Sequence, residues 1–373
     1  MEHFQFSMMF ANRRKELKVT QEQIAEFVGV SRAAVSKWEK GQSYPDITLL
    51  PKLATYFNMS IDTLLGYKPQ LRKEQITRIY SQLAQQFSQK PFEQVEKAIE
   101  ELLSEYYACF PFVLKMAQLY INYLPKSPDQ QAILERVLVL CERVKTLSGD
   151  LALINEATML EALAYLQQGK PDEVLALLGT DVQIQFGADH LIATAHKMLG
   201  NAEKAKEIIQ ISYFQNVMQL ISNASEAIML ESANSEYLDE TIHKMQELIR
   251  LFDLETLNFN AVLIFYYRAA TIYMMKGQPE QALEMLQHYV KVSKKIQFPI
   301  QLKGNAYFYL LQQWMDKTSQ LSSEAPRDEH SIKRDLVDSI VQNPAFASLK
   351  EQAGYQAMVR SLADYLKVEV NLS

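Results

Sequence analysis

A chain of 373 residues that is 48% hydrophobic and 22% charged can bury a substantial core, and its length divides into two or more domains. Two cysteines, Cys109 and Cys141, have no CxxC pair near either, which argues against a disulfide framework or a zinc ribbon and fits a reducing cytoplasm. No apolar signal core follows Met1, and no window reaches the roughly 18 to 20 uncharged apolar residues of a membrane span, so neither secretion nor membrane embedding is expected.

The net charge of -6 is unevenly placed: residues 1–73 hold 11 Lys+Arg and 7 Asp+Glu, a net of +4, which leaves 27 against 37, or -10, for residues 74–373. The split points to one part that meets a polyanion and another that does not. In the cationic part, Thr20 followed by Gln23 matches a capping box and predicts a helix start. Ile24, Ala25 and Val28 share a face, and Gly29 ends this short helix. Ser31 then caps a second helix, closed by Gly41, whose Ala34, Val35 and Trp38 point inward. Arg32, Ala33, Ser36, Lys37 and Lys40 point outward.

Two short helices joined by a tight turn, with the small Ala25 at their crossing, are what a helix-turn-helix requires. The outward face suits DNA. Arg and Lys donate to phosphates and to guanine O6 and N7, Ser31 and Ser36 can bond a phosphate or a base edge, and Ala33 can approach a thymine methyl. Trp38 shares the buried spacing of Val35 and reads as core. Downstream, Pro51 is tolerated if the next helix starts at Thr48 as cap, which puts the proline in the first turn.

Read with the upstream ANRRKELKVTQEQ and the downstream SYPDITLLPKLATYFNMSIDTLLG, the stretch SRAAVSKWEKG resembles the five-helix lambda-repressor-like (Cro-like, XRE-type) DNA-binding domain over about residues 5–66. That resemblance implies a phosphate contact for Gln21, base reading by Arg32, Ala33 and Lys37, and a buried ion pair between Arg14 and Glu39.

From Leu71 onward the chain reads as helix after helix, which makes the expected fold class all-α. A first pair, about 73–89 and 91–108, leads into a repeat. The segments AYLQQGKPDEVLALL, AHKMLGNAEKAKEII and IYMMKGQPEQALEML align on Gly169, Gly200 and Gly277. An alanine precedes each glycine by seven positions (Ala162, Ala193, Ala270) and a ring by four (Tyr165, His196, Tyr273). A weaker copy has Asn234 in the glycine place. The pattern resembles degenerate tetratricopeptide repeats, whose helix pairs stack into a solenoid with a concave binding surface.

On that phase His190, Thr194, Tyr267, Arg268 and Thr271 fall on the inner helix face, and Asn305 opens a later helix. These six are the candidate effector contacts, with Arg268 the candidate for an acidic group or peptide carboxylate. Packing between repeats is the competing role for each. Residues 317–330 read as a loop, and two terminal helices, about 329–342 and 344–368, cap the stack or pair with a second subunit.

The expected domains are therefore a helix-turn-helix domain at 1–70, linking helices at 71–125, helical repeats at 126–316 and a loop with terminal helices at 317–373. No catalytic, phosphate-loop or metal-ligand spacing is present, so neither enzyme activity nor a cofactor is expected. The architecture resembles peptide-sensing transcription regulators of Gram-positive bacteria. This implies a homodimeric, sequence-specific regulator on a double-stranded DNA operator, with a short peptide or small molecule as effector. A DNA-anchored scaffold that docks another protein, such as an antitoxin or immunity-module repressor, is the alternative.

Overall fold

The computed structural model describes residues 5–67, 70–182, 187–301, 303–317 and 327–370, and every element among them is helical. The chain forms two compact units, residues 1–72 with 101–113 and residues 73–100 with 114–373. No helix among the described residues is long and apolar enough to cross a membrane.

The first unit contains α1 (Phe6–Glu16), α2 (Gln21–Val28), α3 (Arg32–Glu39), α4 (Leu50–Phe57) and α5 (Ile61–Leu65). Their apolar faces close on Phe10, Ile24, Val35, Leu53, Phe57 and Leu64, all without exposed surface. Phe10 stands edge-on to Trp38 and to Phe57, with ring centroids 6.1 and 5.2 Å away, so Trp38 is a core residue. The expected cap at Thr48 is instead supplied by Asp46, whose carboxylate accepts the Thr48 N–H at 2.9 Å and starts a 3-10 turn over Ile47–Leu49. Asp46 is the cap because it stands just before the turn with its carboxylate facing the free N–H groups, whereas Thr48 lies inside the turn and is itself one of the donors. Pro51 still falls in the first turn of α4, where its missing N–H costs little. Beyond α5, Gln70 donates to the Ala108 carbonyl at 3.0 Å, which joins the segment after the five helices to residues 101–113.

The remaining elements are α6 (Lys73–Gln86), α7 (Phe92–Glu105), α8 (Phe110–Tyr123), α9 (Gln130–Leu147), α10 (Leu151–Gln167), α11 (Pro171–Leu178), α12 (Ala188–Met198), α13 (Ala202–Leu230), α14 (Ser235–Phe252), α15 (Leu254–Leu257), α16 (Phe259–Met275), α17 (Pro279–Ser293), α18 (Leu311–Lys317), α19 (Glu329–Val341) and α20 (Ala353–Leu366). The three aligned glycines sit at the turns of α10 to α11, α12 to α13 and α16 to α17, each with positive φ. After each glycine the next N–H bonds the carbonyl of the ring residue four places before it: Lys170 to Tyr165, Asn201 to His196 and Gln278 to Tyr273, at 2.8 to 2.9 Å. The sequence repeat is thus a repeated left-handed helix ending. Ala162, Ala193, Ala270 and Ala282 are buried, as helix crossings demand.

The weaker copy differs in form. α13 runs 29 residues without interruption, about 43 Å at 1.5 Å per residue, and serves both as second helix of the Gly200 pair and as first helix of the Asn234 pair. No Gly or Pro occurs between Ala202 and Leu230, so nothing breaks it. Asn234 does not take the glycine's role; its side chain accepts the Tyr237 N–H at 3.2 Å and caps α14. The expected helix opening at Asn305 is also absent. Asn305 Oδ1 accepts the Tyr307 and Phe308 N–H groups at 3.0 and 2.8 Å, and α18 starts only at Leu311.

A core runs from Phe214 to Leu366, and α20 closes it against α17 and α19. Part of the expected loop, residues 318–326, lies outside the described residues.

Candidate nucleic-acid interface

The helix-turn-helix is built from α2 and α3. Thr20 Oγ1 accepts the Gln23 N–H at 3.2 Å while Gln23 Oε1 accepts the Thr20 N–H at 2.8 Å, a complete capping box. Ala25 is buried where α2 meets α3, and Ser31 Oγ accepts the Ala34 N–H at 3.2 Å. This leaves the Ser31 hydroxyl proton for an outside acceptor.

On α3, Arg32, Ala33 and Lys37 are exposed, Ser36 is half-buried, and Lys40 is exposed at the helix end. Positions 33, 36, 37 and 40 follow i, i+3, i+4, i+7 spacing and form one stripe. A donor-rich stripe on a rigid helix can meet phosphates and base edges.

Glu39 fixes this helix from behind. Arg14 Nε donates to Glu39 Oε1, Arg14 Nη2 to Oε2 at 3.2 Å, and Gln21 Nε2 to Oε2 at 2.7 Å. One carboxylate therefore ties α1, α2 and α3. Burial alone would raise its pKa, but the bonds from Arg14 and Gln21 prevail and hold it below the usual carboxylate range. Arg14 Nη1 also donates to the Val19 carbonyl at 2.9 Å. Gln21 has a second amide proton, so a phosphate contact and the bond to Glu39 are compatible. Two anchors escaped the sequence reading. Arg13 Nε and Nη2 both donate to the Phe57 carbonyl at 3.1 Å at the end of α4, and Gln21 bonds Glu39. The adjacent arginines 13 and 14 gave the only signal, and nothing in their spacing separates their roles.

The six candidate effector contacts do not converge. His190 and Thr194 are exposed on α12. Arg268 pairs with Glu226 on α13, and Asn305 Nδ2 donates to the Phe252 carbonyl at 3.2 Å. Arg268 and Tyr267, successive residues on a helix, point about 100° apart, and Asn305 is engaged by backbone. Only Tyr267 lines a cavity of about 540 Å³ between α16, α17 and α19. Thr271 is beside it, since Asn343 Nδ2 lies 2.9 Å from Tyr267 Oη and 3.3 Å from Thr271 Oγ1. No cluster of His, Cys, Asp and Glu that could hold a metal occurs among the described residues.

Residues 10–64 match the family model described as Helix-turn-helix. The chain is 41% identical over 62 residues to the HTH-type transcriptional activator BcrR of Enterococcus faecalis, covering 17% of this chain and 30% of that protein. It is 39% identical over 56 residues to the cryptic phage CTXphi transcriptional repressor RstR of Vibrio cholerae, covering 15% and 50%. The chain thus spans less than a third and half of the length of these curated relatives. Among solved structures, apo ComR from S. thermophilus covers 78% of this chain and 93% of its own at 12% identity and TM-score 0.24. Apo ComR from Streptococcus vestibularis covers 85% and 98% at 12% identity and TM-score 0.27. The chain carries a helix-turn-helix domain at residues 10–64, and every element that follows it among the described residues is helical.

Proposed function

We propose that this protein is a homodimeric, sequence-specific DNA-binding transcription regulator of the cytoplasm whose helical-repeat unit binds an effector, a short peptide or small molecule, that changes its affinity for a double-stranded operator. The observation that carries the reading is the exposed stripe of α3 held from behind by Arg14, Gln21 and Glu39. In this reading Arg32, Ala33 and Lys37 read bases, while Gln21, Ser31, Ser36 and Lys40 position the domain on phosphates. Tyr267 and Thr271 are the two sequence-derived effector candidates that remain beside a cavity. Because a domain of this size reads one half-site, two copies on a near-palindromic operator supply the specificity. The test is binding of the full chain to a selected operator and its change on adding peptide or small-molecule extracts. Binding with no sequence preference would end the proposal.

One observation is shared with a second reading. On α10, Met159, Leu163 and Leu166 follow i, i+4, i+7 spacing and are 57%, 39% and 55% exposed. Such a stripe suits a protein contact. It serves the homodimer in the first reading and a different docked protein in the second, a DNA-anchored scaffold. Sedimentation of the purified chain separates them, since self-association of the chain alone supports the first.

A further inference from the structure

The cavity of about 540 Å³ in the helical-repeat unit falls within the roughly 300 to 1,000 Å³ of small-molecule sites. Its walls are chiefly apolar, with Leu263 and Ile264 from α16, Ile332 and Leu336 from α19, and the ring of Tyr267. Among the described residues that line it, Arg327 is the one basic side chain. Arg327 Nη1 bonds the Asp335 carboxylate, yet its Nε–H is buried and has no hydrogen-bond partner. An enclosed donor without a partner is a cost that the fold carries at this arginine.

The arginine is held in place rather than free to swing out. Its guanidinium carbon lies 5.6 Å from the centre of the Tyr123 ring. The next residue is pinned to that same tyrosine: the Asp328 N–H donates to Tyr123 Oη at 2.8 Å, and Tyr123 Oη donates to Asp328 Oδ2 at 3.0 Å. Asp328 in turn caps α19, its Oδ1 accepting the Ser331 N–H at 2.9 Å. A guanidinium of fixed position, paired with the Asp335 carboxylate that also lines the cavity, therefore stands at a largely apolar wall.

We infer that this cavity binds an apolar chain ending in a carboxylate, the oxygens of which accept from Arg327 in competition with Asp335. A guanidinium has five donors in a planar fork that suits a carboxylate, and the apolar walls take the rest of the molecule. The inference rests on the reading that the helical-repeat unit binds an effector and adds the ligand's chemistry to it. Two sources share that chemistry, a free fatty acid and the C-terminus of an apolar peptide.

The test is isothermal titration of the full chain with decanoate, with decanol, and with an apolar heptapeptide carrying either a free or an amidated C-terminus. Decanoate should bind more tightly than decanol, and the acid peptide more tightly than its amide if the peptide is the source. Arg327→Ala should weaken the carboxylate probes about ten- to hundredfold, the value of a charge-assisted bond, and leave decanol unchanged. Asp335→Asn removes the internal competitor and should tighten carboxylate binding, a gain that a misfolded variant cannot mimic. Failure of every carboxylate probe to bind overturns the site, as does an equal loss of decanoate and decanol in Arg327→Ala. Decanoate that binds as expected but leaves operator affinity unaltered supports the site and removes the effector reading instead. An extract that shifts operator affinity equally in wild type and Arg327→Ala keeps the effector reading and overturns this site.

Discussion

Removing Glu39 by Glu39→Ala should loosen the base-reading helix more than any other single change outside the apolar core of the first unit. The carboxylate accepts two bonds from Arg14 and one from Gln21, and the Arg14 and Glu39 side chains are only 18% and 11% exposed. Breaking a fully buried ion pair costs about 3–5 kcal/mol, because the remaining charge is stranded. Here Arg14 keeps its bond to the Val19 carbonyl and some solvent, so a loss of about 2–4 kcal/mol is expected. That is a large share of the roughly 5–15 kcal/mol by which a domain is stable. The assay is urea unfolding of the full chain followed by Trp38 fluorescence in a Trp314→Phe background, since Trp38 lies in the core of the first unit and reports it alone. Two units need not unfold together, so a local probe is required. In a double-mutant cycle with Arg14→Ala, most of the loss should appear as coupling between the two residues. A loss under about 0.5 kcal/mol, or additivity of the two substitutions, would refute the three-helix tie.

The same carboxylate sets a pH dependence: its folded pKa lies below its unfolded one, so its contribution is whole above the ordinary glutamate pKa of about 4.3 and is lost as pH falls through the lowered value. Acid titration of Trp38 fluorescence should show this loss in the wild type and not in Glu39→Ala. Gly66→Ala should destabilise the first unit by about 1–3 kcal/mol, measured by the same fluorescence, because its φ is +67° and an added Cβ would lie 2.9 Å from Gln5 Cβ. Gly29→Ala, with φ +79° and open space around it, should cost less, about 1 kcal/mol. Arg32→Ala and Lys37→Ala should each lower operator affinity by about 1–3 kcal/mol and relax preference at particular bases in a competition assay. Lys40→Ala should weaken all sequences alike and reduce the salt slope by about one.

The first unit was legible because its signals are local. Thr20 and Gln23, Ser31 and the turn at Gly29 each act within four residues, and each appears in the structure at the place expected. Contacts through space were another matter. The Arg14 to Glu39 bond joins positions 25 apart and entered only through family resemblance, while the bonds of Arg13 to Phe57 and Gln21 to Glu39 left no trace in the spacing. In the helical part the glycine turns were legible for the same local reason. The continuity of α13 was readable in principle from its lack of Gly and Pro, but reading Asn234 as a weaker copy of the repeat obscured it. Arg327 was not legible as a cavity residue, because its relation to Leu263 and Tyr267 depends on how α19 packs against α16. Arg268 was the candidate cation from its helical position, and in the structure it pairs with Glu226 of α13.

The central claim is that α3 reads a defined DNA sequence as one of a symmetric pair. Selection of binding sites from random double-stranded DNA by the full chain, repeated with Arg32→Ala and Lys37→Ala, tests it directly. The account predicts an enriched inverted repeat with half-sites about 34–36 Å apart, or a multiple of that, and altered preference in the variants at the bases they read. An unenriched pool, or the same enriched sequence from wild type and both variants, would contradict it.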